Sequence, residues 1–503
     1  MDVYSFSAFG YEGSLVTVDA ELRDGIPAMD IVGLADGSVK ESRARVRAAV
    51  ENSGFDFPAG RVLISLAPAD LRKDGAGFDL AMAIAVLCAK TPAAHTADSC
   101  LCYGELELSG MLRPVRGTYA ALQTALKAGI TKAVVPADLP DAEIPSGMKA
   151  CKAKTLKDAF RIVTMCDDKN TAPAKQPEFD KKITVPVDGD GTLEAIKDTS
   201  LLRAMMIAAA GRHHLLVVGP PGCGKTLALQ HFPELLPSLT AEESAQVARI
   251  QSIAGLISRE MPSLRTPPFR MPHQTASIEG MCGGGPRLAP GEISLAHNGV
   301  LFLDEAAEFK TSVLQMLRVP LEQGYVTLSR AGRSSVFPAS FQLLLATTPC
   351  PCGNYGSKDK VCLCASSAVA QYWHKFSAPL LDRIAIRVQA DKSSEEAGRM
   401  TLSGMRESIA RATRIQRNRG VYNQNIPPAQ LGTICRMSED ARKLAESRTD
   451  LSPRGLRNLL EVSRTIADLE GEELILERHI GEAIRLISWS PDPSYDVHSS
   501  EGI

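Results

Sequence analysis

The chain has 503 residues, enough for about three domains at ~150 residues each. With 44% hydrophobic and 23% charged residues it has a folded globular composition, which excludes a mostly disordered chain, a collagen-like fibre and a low-complexity polymer. Lys plus Arg number 56 against 58 Asp plus Glu, a formal charge of −2 that excludes an evenly basic nucleic-acid coat but not a local basic surface.

Residues 1–165 form a first block. Strand-like runs (Tyr4–Ala8, Ser14–Asp19, Arg61–Ala67) mix with helical patterns (Val39–Ser53, Phe78–Lys90, Tyr119–Ala128), and Gly54 sits where a helix-ending glycine belongs. Ser109-Gly110 predicts a tight hairpin between Gly104–Leu108 and Met111–Val115. Residues 166–191, polar and punctuated by Pro173 and Pro177, read as a linker, with a surface loop as the alternative. From 192 to 390 helices alternate with short apolar strands (His213–Val218, Gly299–Leu303, Phe341–Thr347), the pattern of an α/β domain around a parallel sheet. Residues 391–503 read as helical.

No run reaches the ~18 apolar residues of a membrane span; the nearest, Ala81–Ala89, reads as a buried helix. The start Met1-Asp2-Val3-Tyr4-Ser5 has no signal-peptide character. A cytoplasmic protein without a membrane partner is therefore expected, its twelve cysteines being thiols or metal ligands.

Gly219-Pro220-Pro221-Gly222-Cys223-Gly224-Lys225-Thr226 fits G-x-x-x-x-G-K-[ST] between an apolar strand and a helix. Such a loop turns backbone N–H groups toward phosphate oxygens at a helix N-terminus. Lys225 is expected to reach the β- and γ-phosphates of ATP and Thr226 to ligate Mg²⁺. Leu301-Phe302-Leu303-Asp304-Glu305 ends a second strand in two carboxylates. Asp304 is the candidate Mg²⁺ partner and Glu305 the group that orients and polarises the attacking water. The pair favours a hydrolase over a passive nucleotide binder.

These residues, with Phe269-Arg270-Met271-Pro272-His273-Gln274, Gly283-Gly284-Gly285 and Pro290-Gly291-Glu292-Ile293-Ser294-Leu295-Ala296-His297-Asn298-Gly299, resemble the magnesium-chelatase-like AAA+ ATPases of the YifB/ComM family over almost the whole chain. The resemblance implies an AAA+ P-loop core, a helical C-terminal lid and a hexameric DNA helicase. Such a helicase drives branch migration on single-stranded or branched DNA, alongside recombination proteins, in homologous recombination or natural transformation. It also implies that Arg383, in Ser377-Ala378-Pro379-Leu380-Leu381-Asp382-Arg383, is an arginine finger for a neighbouring subunit, an ordinary salt bridge being the alternative. Arg454, in Ser452-Pro453-Arg454, resembles a sensor-2 residue touching the γ-phosphate in cis, with Arg457 as competitor. Two departures stand out. Thr348 occupies the sensor-1 position where the family has Asn, and His273-Gln274 stands where two histidines are expected.

Cys350-x-Cys352 and Cys362-x-Cys364 could form a tetrahedral Zn²⁺ knuckle over 350–364, unligated thiols or a redox pair being the alternatives. In the first block, Pro68–Asp79 and Gly104–Val115 resemble the proteolytic domain of Lon. Gly77 stands at the nucleophile position and Tyr119 at the lysine position, so the Ser–Lys dyad is absent. Tyr325–Arg330 and Ser334–Phe337 read as a hairpin before sensor 1. Arg330 and Arg333 there could contact DNA phosphates, simply be solvated, or in Arg330's case face a neighbour's nucleotide. The basic run Arg406, Arg411, Arg414, Arg417 and Arg419 reads as a solvated helix face, DNA binding being the alternative. Two further functions stay open: the ATPase subunit of a magnesium-chelatase-type complex, which the first block and the cysteines argue against, and a nucleotide-gated scaffold with little turnover.

Overall fold

The computed structural model describes residues 2–91, 99–165, 171–172, 196, 198–257, 265–330, 333–355, 360–390 and 401–488. Most of the expected linker at 166–191 therefore lies outside the described residues.

The first block builds one eight-stranded sheet from β1 (Val3–Ser7), β2 (Ser14–Arg23), β3 (Ala28–Val32), β4 (Arg61–Ala67), β5 (Cys100–Cys102), β6 (Lys132–Pro136), β7 (Lys149–Ala153) and β8 (Thr171–Ala172). Its order is β8-β7-β6-β5-β1-β2-β4-β3. The edge strand β8 pairs antiparallel with β7, so two residues read as linker belong to this sheet. Four helices accompany it: α1 (Gly37–Asn52), α2 (Asp79–Lys90), α3 (Thr118–Lys127) and α4 (Leu156–Met165). In β4, Val62, Ile64 and Leu66 are buried while their neighbours point outward, the period of a half-buried strand. The run at 81–89 falls in α2, which is buried from Asp79 through Cys88 and forms the centre of this core. The Ser109-Gly110 turn joins Glu105–Leu106 to Leu112–Arg113 in an antiparallel pair, as expected.

The second block is a five-stranded parallel sheet of β9 (Leu215–Val218), β10 (Phe269–Arg270), β11 (Val300–Leu303), β14 (Gln342–Thr347) and β15 (Ile386–Gln389), in the order β10-β11-β14-β9-β15. The hairpin of β12 (Tyr325–Arg330) and β13 (Arg333–Pro338) lies between β11 and β14 in the chain. The three central strands are buried along their whole lengths, which is why they read as continuous apolar runs. Around them lie α5 (Thr199–Gly211), α6 (Lys225–Gln230), α7 (Ala241–Ala254) and α8 (Ser366–His374).

Residues 401–488 are largely helical: α9 (Leu402–Arg419), α10 (Glu439–Glu446), α11 (Pro453–Glu470) and α12 (Glu477–Ile487). They share one apolar core with α5, β9 and β15. Arg203 of α5 grips Glu482 of α12 through two hydrogen bonds of 2.8 and 3.0 Å. Arg406, Arg411, Arg414 and Arg417 of α9 are exposed, as expected of a solvated face, although most of the run also has local partners. Arg406 donates to the Glu234 carbonyl, Arg411 to that of Leu469 and Arg417 to that of Ser238, while Arg419 pairs with Asp468.

The two sheets are joined through α7. Arg249, 3% exposed, donates to the carbonyls of Tyr11 and Glu12 and to Gln123 and Thr124. Ser252 donates to Glu143 at 3.1 Å and accepts from the Tyr119 amide at 3.0 Å. Burial pushes the Glu143 carboxyl up to about 7 against the pull of the Ser252 hydroxyl and of the Tyr119 amide, which also donates to Glu143 at 3.3 Å.

Candidate nucleotide site

In a parallel sheet every strand delivers its following loop to the same rim, where ligands of open α/β folds bind. The phosphate loop follows β9, Asp304-Glu305 follows β11 and Thr348 follows β14, so register alone gathers the sequence-predicted residues. Gly224, at φ 89, turns the chain into α6. Lys225 is 8% exposed and its ammonium donates to the Gly219 and Pro220 carbonyls at 2.7 and 2.9 Å. The cation is thus folded into its own loop, held by groups that an anionic oxygen would outcompete. Thr226 donates its hydroxyl to Asp304 at 3.0 Å, placing the two expected Mg²⁺ partners side by side. Glu305 is exposed at φ 47, an uncommon conformation outside glycine, and its amide donates to Asp304 at 3.0 Å. That turn separates the two carboxylates: Asp304 faces Thr226 and Glu305 faces solvent.

The Thr348 hydroxyl donates to the Cys350 carbonyl at 3.0 Å and lies 2.9 Å from the Tyr372 hydroxyl. Tyr372 also meets Thr347 at 2.7 Å, and Trp373 donates to the Pro349 carbonyl at 3.0 Å. Residue 348 is thereby tied to the cysteine loop. The four sulfurs of Cys350, Cys352, Cys362 and Cys364 lie within 4.8 Å of one another, with three separations of 3.4, 3.7 and 3.6 Å. A tetrahedral thiolate site with bonds of ~2.3 Å has sulfur–sulfur edges of ~3.8 Å, so this cluster could hold a metal ion. The same loop touches the phosphate loop: a Cβ at Gly353 would lie 2.6 Å from Cδ of Pro221.

Arg383 lies on the opposite rim. It precedes β15, whose direction carries the chain toward the phosphate-loop side. Its guanidinium pairs with Glu322 and donates to the Pro379 carbonyl at 2.6 Å, and its Nε is buried without a partner. Arg454 is placed beside it: Asn458, one turn along α11, donates to the Asp382 carbonyl at 3.1 Å. Burial and the Arg383 charge both push the Arg454 guanidinium down. Arg454 in turn acts on His214, which precedes β9 and which burial above all lowers to about 3. The helical region docks against α5, β9 and β15, and Asn458 ties the start of α11 to Asp382. The competitor Arg457 is committed to Glu461 at 2.7 Å and to the Ile426 carbonyl at 2.8 Å.

The residues between the phosphate loop and Asp304 mostly build structure. Arg270 and Glu292 form a two-bond pair at 2.7 and 2.8 Å, and His297 and Asn298 share Gln246 at 2.9 Å each. His273 is exposed and bonds Thr275 at 2.8 Å, while Gln274 keeps an unpartnered buried Oε1. In the first block, a Cβ at Gly77 would lie 2.5 Å from the Tyr103 ring, so that position has no room for a nucleophile. Burial pushes the Tyr119 phenol up to about 12. Arg333 of the hairpin stacks 4.7 Å over the Phe9 ring, and the Tyr11 amide donates to Ser335 at 2.9 Å. Sequence reasoning missed Arg249, Ser252, Tyr372 and Glu322; nothing local marks them, because each acts on a residue distant in the chain.

Three family descriptions cover the chain: "Subunit ChlI of Mg-chelatase" at 18–138, "Magnesium chelatase, subunit ChlI" at 193–397 and "Magnesium chelatase, subunit ChlI C-terminal" at 400–486. The chain is 36% identical over 501 residues to competence protein ComM of Haemophilus influenzae, covering 96% of each. It belongs to the ComM/YifB family of magnesium-chelatase-like proteins. YifB of Escherichia coli is 35% identical over 494 residues, again 96% of each chain. The magnesium-chelatase 38 kDa subunit of Rhodobacter capsulatus is 26% identical over 194 residues, 36% of this chain and 55% of that one. The family's AAA+ character suggests ATPase activity and implies ATP and Mg²⁺. Its AAA+ members are typically oligomeric. Because the match at 18–138 itself carries a chelatase description, the first block does not argue against a chelatase role as expected. No helix among the described residues is long and apolar enough to cross a membrane.

Proposed function

We propose that this ComM/YifB-family chain is a ring-forming ATPase, a homo-hexamer, that moves on single-stranded or branched DNA and promotes branch migration. What supports the ring is that Lys225, Thr226 and Asp304 follow strands of the parallel sheet, whereas Arg383 precedes one, with Arg454 beside it. A subunit so built cannot complete its own site, and a neighbour's rim supplies the missing arginines. Lys225 and the loop amides would hold the phosphates, and Thr226 and Asp304 would hold Mg²⁺, which would supply positive charge against the charge developing there. Glu305, turned to solvent, takes the proton of the attacking water as its oxygen bonds to the γ-phosphorus and the bond to the leaving ADP oxygen breaks. Arg383 of the neighbour stabilises the charge of the transferring group, a contribution typically of ~10³–10⁵ in rate.

Residues 1–165 then serve as a Lon-like domain without peptidase chemistry, 401–488 as the lid, and the four thiolates as a structural zinc site. The DNA substrate is supported by the near-full-length similarity to a competence protein. ATP hydrolysis measured with and without single-stranded and branched DNA, alongside Glu305→Gln, tests the reading. Stimulation by DNA that the variant abolishes is expected, and hydrolysis indifferent to DNA overturns the motor. The second reading, a chelatase-type ATPase subunit, draws on the Rhodobacter similarity and predicts that indifference.

A further inference from the structure

The junction of the two sheets holds an open crevice of about 570 Å³ between the N-terminal block and the β12–β13 hairpin. One wall carries Phe9, Leu34 and Arg72; the other carries Leu288, Arg330 and Arg333. Its chemistry is divided. The floor is apolar, with Leu34 60% exposed at its edge and the Phe9 ring already under the Arg333 guanidinium. Arg72 and Arg330 are exposed at the rim. Asp36, which also lines it, accepts from the Val39 amide at 2.9 Å and from the Ser38 hydroxyl at 2.7 Å, both at Oδ1, so that oxygen caps the start of α1. Three guanidinium groups thus stand beside an aromatic and aliphatic surface. They match an unpaired nucleotide, whose base needs an apolar or aromatic face and whose phosphate needs a cation. A duplex would offer the phosphates but keep its bases stacked inside.

We propose that this crevice binds a single-stranded segment of DNA, with Arg72 of the N-terminal block and Arg330 and Arg333 of the hairpin on its phosphates and Phe9 and Leu34 against a base. The inference deepens the DNA-motor reading and rests on it, adding a binding role for the N-terminal block. It also gives the strand a short route to the nucleotide. The hairpin leaves β11 after Asp304-Glu305 and returns into β14, which ends at Thr347 beside Thr348. A strand gripped there is attached on one side to a segment bounded by the phosphate site and on the other to a separate sheet.

The test is fluorescence anisotropy of a labelled oligothymidine on the full-length protein across a salt series, for wild type, Arg72→Glu, Arg72→Lys and Leu34→Ser. Arg72→Glu should weaken binding by about tenfold and lower the salt slope by ~0.7, one phosphate contact on a single strand. Arg72→Lys should restore most of both. Leu34→Ser should weaken the oligothymidine and leave a blunt duplex unchanged. Thermal midpoints confirm that these exposed positions leave the fold intact. Wild-type binding that all three variants share overturns the crevice while leaving the DNA motor standing. No binding by the wild type overturns both.

Discussion

Gly353→Ala probes whether the cysteine loop supports the phosphate loop. Gly353 sits at φ +78, and a Cβ there would lie 2.6 Å from Cδ and 2.8 Å from Cγ of Pro221. Carbon atoms pack at ~3.5 Å, so the two loops must part by about 0.9 Å. A misplacement of ~1 Å in a group that positions substrate costs on the order of 10²-fold in rate. The left-handed backbone adds ~1–2 kcal/mol of strain on its own account. Gly420→Ala separates the two effects, since Gly420 has φ +75 and nothing within 4 Å of its Cβ. Steady-state ATP hydrolysis, binding of a fluorescent ATP analogue and metal content would be measured for both. Gly353→Ala should lose about 10²-fold in kcat/KM with its metal retained, and Gly420→Ala should lose only stability. Wild-type kinetics for Gly353→Ala would refute the idea that the cysteine loop buttresses the phosphates.

Three other outcomes are expected. Gly77→Ser forces its side chain into the Tyr103 ring and should cost ~1–3 kcal/mol in denaturant unfolding without creating peptidase activity. Glu143, held at about 7 when folded, binds a proton that the unfolded chain has already released. Its contribution is complete below the unfolded value of ~4.3 and disappears as pH rises to about 7. Glu143→Gln, which mimics the protonated form, should be more stable than wild type above pH 7, by up to ~3 kcal/mol, and this advantage should vanish near pH 4. Equal pH profiles for the two proteins would contradict the buried-carboxyl account. Purified protein should contain about one equivalent of zinc, lost in Cys352→Ser, because a thiolate set of this geometry binds as a unit. Metal-free wild type with unchanged ATP hydrolysis would refute a structural zinc site.

The phosphate loop and Asp304-Glu305 were legible because each is a contiguous segment whose chemistry is local, and parallel register does the rest. The helices α1, α2 and α3 and the strands β1, β2, β4, β9, β11 and β14 were readable from periodicity and short apolar runs. The strands β3, β6 and β7 were not, being five residues each with no flanking signal strong enough to mark them. Arg454 was recognisable as a motif but not placeable, since its position depends on how the helical region docks against α5. The arginines of α9 were legible as an exposed basic face, but the carbonyl acceptors of Arg406, Arg411 and Arg417 were not, because backbone acceptors leave no trace in side-chain patterning. Thr348 read as a weakened sensor. Its hydroxyl turns out to be engaged by Tyr372, a residue 24 positions later whose role no spacing rule reveals.

The central claim is that one subunit's Glu305 and the next subunit's Arg383 act on the same ATP. It is tested by mixing two full-length variants, Glu305→Gln and Arg383→Ala, and measuring DNA-stimulated ATP hydrolysis of each alone and of the equimolar mixture. Each variant alone should be nearly inactive. In random rings about a quarter of the interfaces pair an intact Glu305 with an intact Arg383, so the mixture should recover about a quarter of wild-type activity. A mixture no more active than its components, or an Arg383→Ala protein that hydrolyses ATP normally, would contradict the shared site.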